Sequence, residues 1–147
     1  MIKTNKLKAT GSVNIVVRSE DGKISQELTV PNLVVDTGLN YIASRMKDAS
    51  ATVMSHMAVG TGTTAAAAGN TALVTESARV ALTSSTVTSG SISYVASYAA
   101  GTGTGALTEA GIFNASSSGT LLCRTLFSVI NKGSADTMTI TWTITIS

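Results

Sequence analysis

The C-terminal stretch constrains this chain more than any other segment. Met138, Ile140, Trp142, Ile144 and Ile146 alternate there with Thr137, Thr139, Thr141, Thr143 and Thr145. A strict period of two is the signature of extended backbone, because only a strand sends successive side chains to opposite faces. Threonine suits the polar face: it is β-branched, favours a pleated surface, and still meets water or a neighbour with its hydroxyl. A strand with one apolar face requires a sheet around it and a second layer over it.

The same alternation recurs along the chain. Val13, Ile15 and Val17 alternate with Asn14 and Arg18, and Ile24, Leu28 and Val30 with Ser25, Glu27 and Thr29. Between them lies Glu20-Asp21-Gly22-Lys23, where Asp-Gly suits the positive φ of a hairpin turn. Further strands are expected at 78–88, at 91–99 with Ile92, Tyr94, Ala96 and Tyr98 on one face, and at 120–130 with Leu121, Cys123, Phe127 and Val129 on one face. Segment 54–59 is a further candidate. One helix is expected after Pro31, capped by Asp36 or Thr37, with Leu39, Ile42, Ala43 and Met46 at helical spacing. Arg45 and Lys47 sit in its last turn, favourable at the negative end of the helix dipole. Its apolar stripe should lie on a sheet. The fold class is therefore mainly β: an antiparallel β-sandwich, jelly-roll-like, with an N-terminal β-hairpin and one short amphipathic helix. Residues 1–36 read as an N-terminal arm and hairpin and 37–147 as the β-sandwich body, one compact domain overall.

Composition narrows the function. Charged residues are 12% of the chain, while Thr and Ser number 23 and 19 of 147 residues; the globular norm for charge is roughly 25%. Twelve of the eighteen charges lie in residues 1–48, and the rest of the chain holds only Glu76, Arg79, Glu109, Arg124, Lys132 and Asp136. Such a surface suits a neutral soluble β-domain and, because it costs little to desolvate, equally a body packed against copies or partners. The net charge of +2 gives no field for a polyelectrolyte, and Lys3, Lys6 and Lys8 form a short basic stretch without interleaved aromatics, so no direct nucleic-acid binding is expected. Residues 80–108 carry no charge but are broken throughout by Ser, Thr and Gly, so no membrane span is expected. The N-terminus has no apolar core of a signal peptide.

No catalytic, cofactor-binding or metal site is expected. His56 is the one imidazole and Cys123 the one thiol, and Cys123 sits in a strand pattern that reads as core. There is no Cys-x-x-Cys, His-x-x-x-His or Asp-rich calcium loop. Gly60-Thr61-Gly62-Thr63 and Gly101-Thr102-Gly103-Thr104 lack the Lys of a phosphate-binding loop and read as two similar turns. Glu76 and Glu109, each in a Thr-Glu context, are expected to make structural ion pairs with Arg79 or Arg124 rather than to act as an acid/base pair. Asn114-Ala115-Ser116 matters only in a eukaryotic secretory pathway.

Three ordered segments carry a resemblance. Thr37-Gly38-Leu39-Asn40-Tyr41-Ile42-Ala43, Met57-Ala58-Val59-Gly60-Thr61-Gly62 and Thr71-Ala72-Leu73-Val74-Thr75-Glu76-Ser77-Ala78-Arg79 resemble the N-terminal part of tail-collar fibre proteins of tailed bacteriophages. Leu107-Thr108-Glu109-Ala110-Gly111-Ile112-Phe113, then Gly119 to Arg124 and Phe127 to Lys132, continue the same order, so the resemblance covers 37–146. The pattern is also similar to small virion proteins of these phages, including head-decoration (cement) proteins. The hairpin at 13–30 and the absence of a repetitive shaft before Ser147 favour a self-contained module over a fibre. The resemblance implies a non-enzymatic bacteriophage virion structural protein, made in the bacterial host cytoplasm. Such a protein would decorate the outer capsid surface in many copies as a dimer or trimer, with the major capsid protein as partner. The alternative is a tail or baseplate attachment protein. The arm and hairpin, with Lys3, Lys6, Lys8, Arg18 and Lys23, are the expected docking residues.

Overall fold

The computed structural model describes residues 6–48 and 50–147. Ten strands and one helix follow in the order β1 (Ala9–Arg18), β2 (Ile24–Pro31), β3 (Leu33–Val34), α1 (Asp36–Lys47), β4 (His56–Gly60), β5 (Glu76–Ala81), β6 (Ser84–Thr88), β7 (Ser91–Tyr98), β8 (Gly105–Phe113), β9 (Leu121–Lys132) and β10 (Thr137–Ile146). They form two antiparallel five-stranded sheets, β2-β1-β10-β7-β6 and β3-β9-β8-β4-β5. Their facing sides make a β-sandwich core.

The Thr-alternating strand β10 lies at the centre of the first sheet. It pairs with β1 from Ala9↔Ile146 to Arg18↔Thr137 and with β7 from Met138↔Tyr98 to Thr145↔Ser91. Directly opposed residues share a face, so Val13, Trp142 and Tyr94 form one row of the core, all buried. Burial of each large apolar side chain of this kind contributes about 1.5–3 kcal/mol. The N-terminal hairpin is therefore part of the body: β1 supplies Val13, Ile15 and Val17, fully buried, to the common core.

Three local expectations are corrected by the tertiary structure. The segment 78–88 is two strands in different sheets. β5 ends at Ala81, and the chain crosses through Leu82 and Thr83, whose N–H groups donate to Ser55 and Val95 carbonyls, before β6 begins. The face assigned to Leu121, Cys123, Phe127 and Val129 is broken by two register shifts between β8 and β9. Leu121 joins a small cluster on the outer side of the second sheet, and Val129 is exposed while Ile130 is buried. The helix start is also different. Val35 occupies the N-cap without a side-chain bond; Asp36 donates its N–H to Ala68 O, and Thr37 Oγ1 donates to Leu121 O.

The helix does not lay its apolar stripe on the sheet. Its one buried residue is Gly38, and a Cβ there would stand 2.0 Å from the Leu122 carbonyl oxygen. Glycine lets the helix approach β9 backbone to side, with Tyr41 and Ile42 packed against the core. Leu39 and Met46 are left 47% and 82% exposed.

Candidate functional site

Two features stand out: a buried polar knot on the outer face of the second sheet, and an apolar groove beside the helix. The knot centres on Glu109 of β8. Strand periodicity puts Glu109, Gly111 and Phe113 on the outer face, while Ala110 and Ile112 enter the main core. Gly60 lies opposite Glu109, and Gly111 lies between Ala58 and Arg124. The missing side chains leave room for the 61–75 loop to fold down onto the sheet. A Cβ on Gly60 would stand 2.2 Å from Thr75 O, and one on Gly62 2.5 Å from Glu109 Oε1.

Glu109 and Arg124 have no side-chain exposure and pair at 2.9 Å. Glu109 Oε1 accepts from the N–H groups of Gly62 (2.9 Å) and Thr75 (2.7 Å). Its Oε2 accepts from Val74 N–H (3.0 Å) and from Arg124 Nε and Nη2. Arg124 also donates to Asn70 Oδ1 and Thr64 O. Burial by itself would raise the Glu109 carboxyl, but the backbone N–H of Thr75 and Val74, Arg124 and Gly62 outweigh it and hold the group below the usual range. Both carboxylate oxygens are occupied by fixed donors and shut from water, so the group clamps a loop and offers no route for a proton.

The neighbouring pair works similarly. Glu76 and Arg79 meet at 2.6 Å, and the guanidinium of Arg79 lies 3.7 Å over the Phe113 ring while donating to Ala115 and Ser118 carbonyls. It roofs the outer cluster of Val35, Ala58, Leu73, Phe113 and Leu121. Lys132 is also buried, donating to Ala99 O (3.0 Å) and Asp136 O (2.7 Å). Loss of water pushes its pKa down, opposed by the charge of Asp136. Asp136 in turn accepts from Gly133 N–H. Each of the six charged residues beyond position 48 thus holds an internal bond.

His56 and Cys123 are separated by a sheet. Met57, Ile112 and Cys123 form one row facing the main core, whereas His56 is opposite Phe113 on the outer face. Burial drives the Cys123 thiol pKa strongly upward. The two loops with shared wording also differ. The first is the long segment held by Glu109; the second is a short β7–β8 connection with positive φ at Gly101, Gly103 and Gly105.

The expected docking residues do not form one patch. Lys3 lies outside the described residues. Lys6 and Lys8 are exposed ahead of β1, while Arg18 ends β1 and Lys23 follows the turn. Ten residues at ~3.3 Å each put the two groups about 30 Å apart. Arg18 bonds back to the Gly22 carbonyl at 3.1 Å. Of these residues, Lys8 lines a groove that sequence reasoning missed. This groove of ≈ 480 Å³ runs between the start of β1, the β2–β3 corner and α1, and a smaller one of ≈ 150 Å³ continues along the helix to Met46 and Ile146. Leu7, Leu33, Leu39, Met46 and Ile146 stand exposed along them. Contiguous apolar surface of this kind is typical of a contact site.

Among the described residues, no helix is long and apolar enough to cross a membrane, and no three His, Cys, Asp or Glu side chains group as a metal ion would require. Comparison with known protein families, curated proteins and solved structures finds no match to this chain.

Proposed function

We propose that the protein is a non-enzymatic structural component of a tailed-phage virion. In this reading it is a decoration or cement protein, bound in many copies to the outer capsid surface through the major capsid protein. The observation that carries the reading is the division of the surface. All six charges beyond residue 48 hold bonds within the fold and Glu76 is the one left exposed, so the Ser/Thr body is largely neutral. Five exposed apolar side chains, Leu7, Leu33, Leu39, Met46 and Ile146, line the grooves beside the helix at one end. The segments that carry the phage resemblance support it as scaffold: 57–62, 71–79, 107–113 and 119–124 converge on the Glu109–Arg124 knot or the outer cluster around it.

Such a protein works by burial. A standard interface covers roughly 1,600 Å², and many copies on one shell make modest single-site affinity avid. The groove, with Leu39 and Met46 on its rim and Lys8 beside it, is the docking surface on the shell. The collar-fibre resemblance favours a second reading, a tail or baseplate attachment protein.

Protein copy number per purified particle, with particle imaging, tests both. Hundreds of copies at icosahedral positions are expected for decoration. A few copies at the tail would replace that reading with the second, and absence from purified particles would overturn both. In the decoration case, Leu39→Asp with Met46→Asp should lower occupancy at least tenfold.

A further inference from the structure

We propose that β6 is a self-association edge, pairing antiparallel with β6 of a second copy across a two-fold axis at Thr86. The argument starts from how the four sheet edges are finished. Open edges invite pairing, and proteins blunt them with charge, proline, bulges or brevity. β2 carries Glu27, ends at Pro31 and is offset by a bulge at Val17/Arg18. β3 has two residues. β5 carries Glu76 and Arg79. β6 reads Ser84-Ser85-Thr86-Val87-Thr88, with no charge and no proline, in unbroken register with β7.

The second observation concerns what β6 leaves uncovered. Val87 lies opposite Ile92, and Ile92 shares its face with Tyr94, Ala96 and Tyr98, which enter the core. Val87 therefore faces the side of the sheet that is core elsewhere, yet it is 74% exposed. The second sheet does not reach over it. The strand overhangs the sandwich, with both its outer edge and its apolar side chain unfinished.

A second copy of this chain matches these features. In an isologous contact every group meets the surface of its own copy, so a charged edge would repel itself and a neutral one does not. Residues 80–108 contain no charge, and Thr83 to Gly90 are all exposed. Pairing about Thr86 sets Ser85 against the partner's Val87 and Ser84 against the partner's Thr88, and joins two five-stranded sheets into one of ten. The two Val87 side chains become diagonal neighbours on the core-side face, about 7–8 Å apart. Five residues make a short edge, so the interface belongs below the ~1,200 Å² of standard complexes and dissociates on dilution.

The contact is independent of the virion reading and is tested with the isolated full-length protein. Sedimentation over a concentration series should show a monomer–dimer equilibrium. Thr86 is exposed, so Thr86→Lys and Thr86→Glu should fold with unchanged Trp142 emission and thermal midpoint. Each alone should weaken dimerisation at least tenfold, because like charges meet at the axis. An equimolar mixture of the two should recover it as a heterodimer. A wild type that stays monomeric to about 1 mM overturns the proposal. So do a trimer, wild-type association in either single variant, or weakening that the mixture fails to reverse.

Discussion

Removing one oxygen from the Glu109 carboxylate tests how the second sheet is held together. Glu109→Gln keeps size and shape but replaces an acceptor with an NH2 group. In the native knot Oε1 receives Gly62 and Thr75, and Oε2 receives Val74 and two bonds from Arg124. Whichever way the new amide turns, its NH2 faces at least two donors. Arg124, with no side-chain exposure, keeps its charge and loses its counter-ion. Breaking a buried pair on one side costs about 3–5 kcal/mol, a large share of the ~5–15 kcal/mol total of an ordinary domain. Solvent screening gives no relief, since neither partner reaches water.

The assay is urea denaturation followed through Trp142, the single tryptophan, which is fully buried in the other sheet. Hydrogen exchange at Gly62, Val74 and Thr75 reads the knot locally. A stability loss of about 3 kcal/mol or more and faster exchange at those three amides are expected. A double substitution, Glu109→Leu with Arg124→Met, adds a discriminating arm. Apolar replacement of a buried pair is often neutral, but here it orphans three backbone N–H groups at about 1–3 kcal/mol each, so the double variant also loses stability. If Glu109→Gln lost under 1 kcal/mol and the three amides exchanged at the wild-type rate, the reasoning would be refuted.

Other outcomes follow from the same geometry. Because the folded Glu109 carboxyl titrates below its usual value of 4.5, its stabilisation is complete above that value and is lost as pH falls through the folded one. Urea midpoints should therefore decline below about pH 5, and less steeply in Glu109→Gln. Gly38→Ala should lower the thermal midpoint by several degrees, because the new Cβ meets the Leu122 carbonyl and must push the helix off β9; a melting curve matching wild type counts against that packing. Native Cys123 should resist alkylation by iodoacetamide and react only on unfolding, since it is fully buried and its thiol is held protonated. Leu39→Asp with Met46→Asp should change folding stability by less than about 1 kcal/mol, since both side chains are largely exposed; a larger loss in urea titration would mean the groove rim is core.

Much of the architecture is legible in the sequence. Alternation in 137–146, 91–98 and 13–17 reports one buried face directly, because side-chain period is a local property of extended backbone. The scarcity of charge beyond residue 48 and the Thr-Glu contexts of Glu76 and Glu109 likewise singled out the side chains that form ion pairs. Less legible were places where two elements compete for one face. The stripe of Leu39, Ile42, Ala43 and Met46 looked like a core face, but helix periodicity does not say which side meets the sheet. Gly38 decided it by permitting the closer approach. The 78–88 segment hid a sheet crossing because both halves are individually good strands.

By itself, then, the sequence determined the local conformation of most strands, the neutral character of the β-body and the small set of residues able to carry charge inside it. Tertiary structure alone decided where those residues meet: that Glu109 reaches across to three amides of a distant loop, that His56 and Cys123 lie on opposite sides of a sheet, and that Val87 faces the core side with nothing above it. The physical reason is range. Propensity and periodicity act over a few residues, whereas pairing, burial and overhang depend on which segments, far apart in the chain, come to lie side by side.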